Sequence, residues 1–122
     1  MAAPQMIFVN LPVRDLDASK AFFTALGYAF KPRFTNQDAA CMVISDTIYV
    51  MLLVEPFFRG FTPRPLCDAR SHTEVITCLS APSRAAVDAL LDKALAAGAD
   101  EPMPARDSGF MYQRGFQDLD GN

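Results

Sequence analysis

The chain has 122 residues, 51% of them hydrophobic and 20% charged, with 11 basic against 14 acidic side chains and a net charge of −3. That apolar content excludes a disordered chain, and the length suits one domain that buries about two-thirds of its surface on folding. The acidic balance argues against nucleic acid and against anionic membranes, both of which reward a basic surface.

Three cysteines, Cys41, Cys67 and Cys78, form no pair with metal-ligand spacing and no disulfide framework. Cys41 and Cys78 sit in apolar runs and read as small core residues. A reducing cytoplasm is the expected setting. No leader pattern is read at the start, and the longest apolar run, Thr47 to Val54, falls well short of the about 20 residues that span a bilayer.

In chain order, Met6 to Val13 is the first strand candidate. Ile7, Val9, Leu11 and Val13 fall on one face, and Met6, Phe8, Asn10 and Pro12 on the other. Pro12 cannot donate to a ladder, so the later part of the strand is expected to lie at an edge or to be ending there. Asp15 is an N-cap candidate, and Leu16, Ser19, Phe22, Phe23 and Leu26 recur at helical spacing up to a stop at Gly27. Tyr28 to Phe34, broken by Pro32, is a weak strand. Ala39 to Ser45 and Thr47 to Glu55 are stronger, and Ser45-Asp46-Thr47 makes them an antiparallel hairpin. Residues 56–71 carry three prolines and no sustained period, so they read as a surface linker. Its Phe57, Phe58 and Phe61 either pack back on the body or line a cavity or contact.

The pattern then restarts. Thr73 to Leu79 reads as a strand, Ser83 as an N-cap, and Val87, Leu90, Leu91, Ala94 and Leu95 as the core stripe of a helix ended by Gly98. A short strand near Met103, another from Phe110 to Gln117, and the turn residues Asp118 to Asn122 follow. The two stop glycines lie about 70 residues apart, which marks an internal repeat of β-α-β-β-β. The expected division is a single domain, 1–122. It comprises a first module of about 6–55, a linker of about 56–71 and a second module of about 72–122 that lacks its last strand, leaving an open edge.

The run Phe8-Val9-Asn10-Leu11-Pro12-Val13-Arg14-Asp15-Leu16-Asp17, with Ser19, Phe22-Phe23 and Leu26-Gly27, resembles the glyoxalase / bleomycin-resistance / extradiol-dioxygenase (vicinal oxygen chelate) superfamily. So do Ser83-Arg84, Val87-Asp88, Ala97-Gly98, Phe116 to Asp118 and Gly121-Asn122. The chain looks most like bacterial predicted lactoylglutathione lyase-like proteins. The resemblance implies an α+β fold in which two paired β-α-β-β-β modules form a curled mixed sheet around a cavity. It also implies homodimers. In metal-dependent members a divalent ion in the cavity chelates adjacent substrate oxygens as a Lewis acid, held by ligands from the first and fourth strands of the modules.

Carried onto this sequence, the first-strand ligand position is Phe8 and the fourth-strand position falls near Met51. A phenyl group cannot coordinate, and a thioether is a soft ligand poorly matched to hard ions. His72 and Glu74 are the two remaining candidates, two residues apart on one strand, whereas a catalytic site needs about three protein ligands. No metal ligand is therefore assigned, and a divalent ion is disfavoured as cofactor. His72 is either a strand-entry residue with an ordinary hydrogen bond or a cavity acid/base. Glu74 is either salt-bridged to Arg70 or Arg114, or solvated, or a cavity general base with a pKa raised by burial.

Strand parity adds the ligand-binding candidates: Phe8 with Asn10, Tyr49 with Met51, and Phe110 with Tyr112. Such a wall suits a flat or apolar small molecule. The expected function is binding of a small apolar or aromatic molecule without a complete metal site. The alternative is a metal-dependent lyase, isomerase or dioxygenase in which Glu74 is base or ligand. A third reading, an assembly or regulatory module, rests on the aromatic linker.

Overall fold

The computed structural model describes residues 4–122. It is a mixed α+β structure in two compact units, one running to Leu66 and one of Cys67–Asn122.

The first unit begins with β1 (Ile7–Val13) and continues through α1 (Leu16–Ala25), β2 (Ala29–Phe30), a 3-10 turn (Pro32–Phe34), β3 (Ala39–Val43) and β4 (Ile48–Val54). The strands make one sheet in the order β1-β4-β3-β2, with β1 parallel to β4 and the other pairs antiparallel. A parallel pair needs a long crossover, and α1 with the β2–β3 segment supplies it. The sheet thus follows the expected β-α-β-β-β order, and Pro12 does lie on an edge strand. β2 is shorter than expected because Pro32, with its fixed φ, opens a 3-10 turn.

α1 starts where the sequence placed it. Asp15 Oδ1 accepts the Ala18 N–H at 3.0 Å. It ends at Gly27 (φ +104°), where the Tyr28 N–H reaches Phe23 O and the Gly27 N–H reaches Thr24 O. Leu16, Ser19, Phe22 and Phe23 are its buried residues, and Phe22 meets Phe23 edge to face at 4.9 Å. Val13, Ala40 and Leu52 are fully buried in the strands.

The stretch after β4 is not the featureless linker expected. It opens with a one-turn helix, α2 (Glu55–Phe58), and a 3-10 turn (Arg59–Phe61). Pro56 sits at the helix start, where its missing N–H is no loss. Phe57 and Phe61 pack edge to face at 5.3 Å while both remain exposed.

In the second unit α3 (Arg84–Ala96) is capped by Ser83 Oγ, which accepts the Ala86 N–H at 3.1 Å. Its end at Gly98 repeats the α1 ending bond for bond: Gly98 N–H to Leu95 O, and Ala99 N–H to Ala94 O. β5 (Arg106–Asp107) and β6 (Tyr112–Gln113) form a two-residue antiparallel ladder, and Asp100 bridges Gln117. The strand expected near Met103 reduces to that bridge, and the one expected over Phe110–Gln117 to β6.

Three further expectations fail here. Thr73–Leu79 forms no strand, and Val75 and Ile76 are 65% and 79% exposed. In the first unit the matching strand, β1, is held to the sheet through β4 alone. Among residues 72–122 no β4 counterpart exists, and β-forming side chains do not make a strand without a ladder partner. For the same reason Cys78 is exposed rather than core. In α3, Leu91 and Ala94 are buried but Leu95 is exposed, since its unit offers only a two-residue ladder. Among the described residues no helix is long and apolar enough to cross a membrane.

The fold predicts where truncation is costly. Leu52→Ala removes a fully buried side chain from the strand that joins β1 to the sheet, and is expected to cost about 3 kcal/mol. Leu95→Ala, at an exposed position, is expected to cost under about 1 kcal/mol. The difference is read from urea unfolding midpoints, and equal midpoints would contradict the assigned core.

Candidate functional site

The β1–β4 register sets Phe8 beside Tyr49 and Asn10 beside Met51. The β3–β4 register continues both rows, with Val43 beside Tyr49 and Cys41 beside Met51. Paired residues share a face, and so do residues two apart along a strand. Phe8, Asn10, Tyr49 and Met51 therefore lie together on one face of the sheet, as parity predicts. Val9, Val50 and Met42 fall on the other.

The Phe8 and Tyr49 rings stack at 5.1 Å with 13° between their planes. Tyr49 is nearly fully buried and its hydroxyl donates to Asp46 O at 3.0 Å, so its ring face is what it presents. Phe8 is half exposed. Asn10 Nδ2 donates to Phe8 O at 3.3 Å. Lys31 extends the β2–β3 pairing by one residue, its N–H donating to Cys41 O at 2.9 Å, and its Nζ stands 4.9 Å from the Tyr49 ring centroid. Burial pushes the Cys41 thiol pKa up, while the Lys31 charge pulls it back in part. The thiol is almost fully buried and stays protonated, so it offers no nucleophile.

In the second unit the candidates are more dispersed. The His72 Nδ1 lies 2.8 Å from Ser71 Oγ, and Cys67 Sγ approaches His72 O at 3.7 Å. Glu74 is exposed and faces no cavity wall of the kind expected for a general base. Neither suggested salt-bridge partner holds it, because Arg114 is taken elsewhere: its guanidinium grips Glu101 through two bonds of 2.8 and 2.7 Å and reaches Asp88 at 3.1 Å. Phe110 is 89% exposed. Tyr112 is tied down, its hydroxyl donating to Asp88 at 2.7 Å while Arg84, paired with Asp107, lies over its ring at 5.1 Å.

The sequence reading missed this Arg–acid network, which links α3 to residues 101–114. Its members are spread over 31 positions, and no spacing rule brings them together. The sequence did show the DLDGN turn. There the buried Asp118 carboxylate accepts the N–H groups of Asp120 and Asn122 at 2.9 and 2.8 Å, and burial raises its pKa. Gly121 (φ +90°) must be glycine, since a Cβ there would stand 2.8 Å from the Ala69 backbone. A polar depression of about 310 Å³ beside it is lined by Arg70, Asp100, Gln117 and Asp118, and contains none of the predicted site residues.

As to metal, the Phe8–Met51 face offers a phenyl ring, a thioether, a buried thiol, an amide and a Tyr49 hydroxyl engaged with Asp46 O, and no carboxylate or imidazole. Among the described residues no three His, Cys, Asp or Glu side chains are grouped to hold an ion. The described residues do not group into a set that would chelate a cation.

Residues 5–45 match the family described as bleomycin resistance protein-like N-terminal. This stretch contains β1, α1, β2 and β3 and ends before β4, so it carries Phe8 and Asn10 but not Tyr49 and Met51. A hypothetical protein from S. aureus superposes with a TM-score of 0.81 at 28% identity, covering 98% of this chain and 90% of that one. The chain has the fold of the glyoxalase/bleomycin resistance/dioxygenase superfamily. A family enzyme from Burkholderia phytofirmans PsJN gives a TM-score of 0.71 at 20% identity over 94% of this chain and 91% of its own. The bleomycin resistance determinant encoded on transposon Tn5 gives 0.66 at 17% identity over 97% and 92%. These two likenesses are of fold. No curated protein matches the chain.

The second-unit network predicts acid behaviour. Hydrogen bonds from Tyr112 and Arg114 lower the Asp88 pKa, Arg114 lowers that of Glu101, and Arg84 holds Asp107 at about 2. Carboxylates with lowered folded pKa values stabilise the fold above the ordinary range, about pH 4, and lose that contribution as pH falls through their folded values. Wild-type helical circular dichroism is expected to become more urea-sensitive between about pH 4 and 2. Arg114→Gln should show a shallower dependence across that window. An unchanged slope would show that the pairs do not form.

Proposed function

We propose that the chain binds a small flat or apolar molecule on the Phe8–Asn10–Tyr49–Met51 face, without a complete metal site. The observation that carries this reading is the stacked Phe8–Tyr49 pair, half open to solvent and bordered by the Met51 thioether and the Asn10 amide. An open aromatic pair can take a further ring by stacking, a polarisable thioether adapts to its outline, and one amide orients it. The similarity of residues 5–45 to the bleomycin-resistance-like family supports a binding role over a catalytic one, as does Glu74, the base of the lyase alternative, which stands exposed with no ion-pair partner among the described residues. A cytoplasmic homodimer belongs to the same proposal. Its support is the exposed apolar side chains Ile76 and Phe110, and gel filtration tests it.

The reading is tested with N-phenyl-1-naphthylamine, an uncharged fluorescent aromatic. Saturable 1:1 binding is expected, weakened about fivefold by Phe8→Ala through loss of the stacking surface. A titration indifferent to Phe8→Ala, or stoichiometric tight binding of Ni²⁺ or Zn²⁺, would overturn it.

A further inference from the structure

The binding face has a charged border. Lys31 stands across the strands from Asn10, in the row Lys31–Cys41–Met51–Asn10 set by the β2–β3, β3–β4 and β1–β4 pairings. Three strand spacings separate the ends of this row, about 14 Å, the length of a two-ring aromatic molecule with one substituent. The Lys31 side chain is half-buried, and its ammonium lies over the Tyr49 ring. No acid pairs with it among the described residues. An aromatic face attracts a cation but leaves its net charge unmatched, and a half-buried cation without a counter-ion is stabilised by any anion brought to it. The same ring that carries Phe8 thus holds an uncompensated positive charge at its margin.

We propose that Lys31 makes this face selective for aromatic ligands that carry an anionic group, a carboxylate or sulfonate, on the end remote from Asn10. The inference rests on the ligand-binding reading above and goes beyond it in naming the ligand class. The ring system lies over Met51 against the exposed side of Phe8, and the anion accepts a charge-assisted hydrogen bond from Lys31 Nζ. Asn10, whose Nδ2 is engaged with Phe8 O, keeps its amide oxygen for a polar group at the other end.

Two probes of one scaffold separate the claims: 8-anilinonaphthalene-1-sulfonate, which is anionic, and N-phenyl-1-naphthylamine, which is not. The sulfonate is expected to bind about tenfold more tightly than its neutral scaffold, with the gap narrowing at high salt. Lys31→Met should remove that gap and leave the neutral probe unchanged, and Lys31→Arg should restore it. Retained neutral-probe binding by Lys31→Met shows that the variant is folded, and the fraction of signal lost in Phe8→Ala isolates this face from other apolar surface. If the neutral probe depends on Phe8 but Lys31→Met affects both probes equally, the charge selectivity is wrong and the binding reading stands. If neither probe depends on Phe8, both fall.

Discussion

Parallel pairing of β1 with β4 sets Phe8 against Tyr49 and Asn10 against Met51, and the aromatic face exists only in that register. Side chains alternate across a strand, so a slip of one residue would exchange the aromatic row for Ile7, Val9 and Leu11. The register is specified from both sides. β4 is paired along both of its edges, to β1 and β3, and Leu52 and Val13 are fully buried. α1, fixed by the Asp15 cap and the Gly27 stop, returns the chain so that the crossover can be parallel. A rigid sheet core thereby positions a partly open stack, an arrangement suited to binding without rearrangement.

The second unit repeats the local signals of the first without repeating its sheet. Both helices are capped by a side-chain oxygen and end in the same pair of backbone bonds around a positive-φ glycine. What differs is the ladder. Thr73–Leu79 has the composition of β1, yet it forms no strand among the described residues, because no β4 counterpart is there to receive it. Ordering in this unit falls instead to polar groups: Arg114 with Glu101 and Asp88, Arg84 with Asp107, and the Asp118 turn closed on Ala69 by Gly121.

Local chemistry was therefore legible in the sequence, and so were the element order of the first unit and its hairpin of chain neighbours, whereas the parallel pairing of β1 with β4, which joins Ile7 to Ile48, was not. The helix ends, the 39–54 hairpin, and the pairs Phe8 with Asn10 and Tyr49 with Met51 follow from capping, turn residues and parity, while the β1–β4 register is what brings the two pairs onto one face. Burial in the second unit was not legible, because a β-prone segment such as Val75–Leu79 reads the same with or without a partner strand. The 101–114 ion pairs were hidden for a related reason: their contacts depend on tertiary approach. Lys31 was passed over because Pro32 weakened the strand around it. The pairing of its N–H with Cys41 O is what reveals its place on the face.

On this reading a ligand meets one face of the first sheet and not the other. Met51 and Met42 sit on opposite faces of that sheet, on adjacent strands, and Met103 and Met111 report from the second unit. Methyl-labelled methionine NMR during titration with an aromatic ligand reads all four at once. A saturable shift of the Met51 methyl is expected, with Met42 unmoved. A titration that moves Met103 or Met111 and leaves Met51 in place would contradict it.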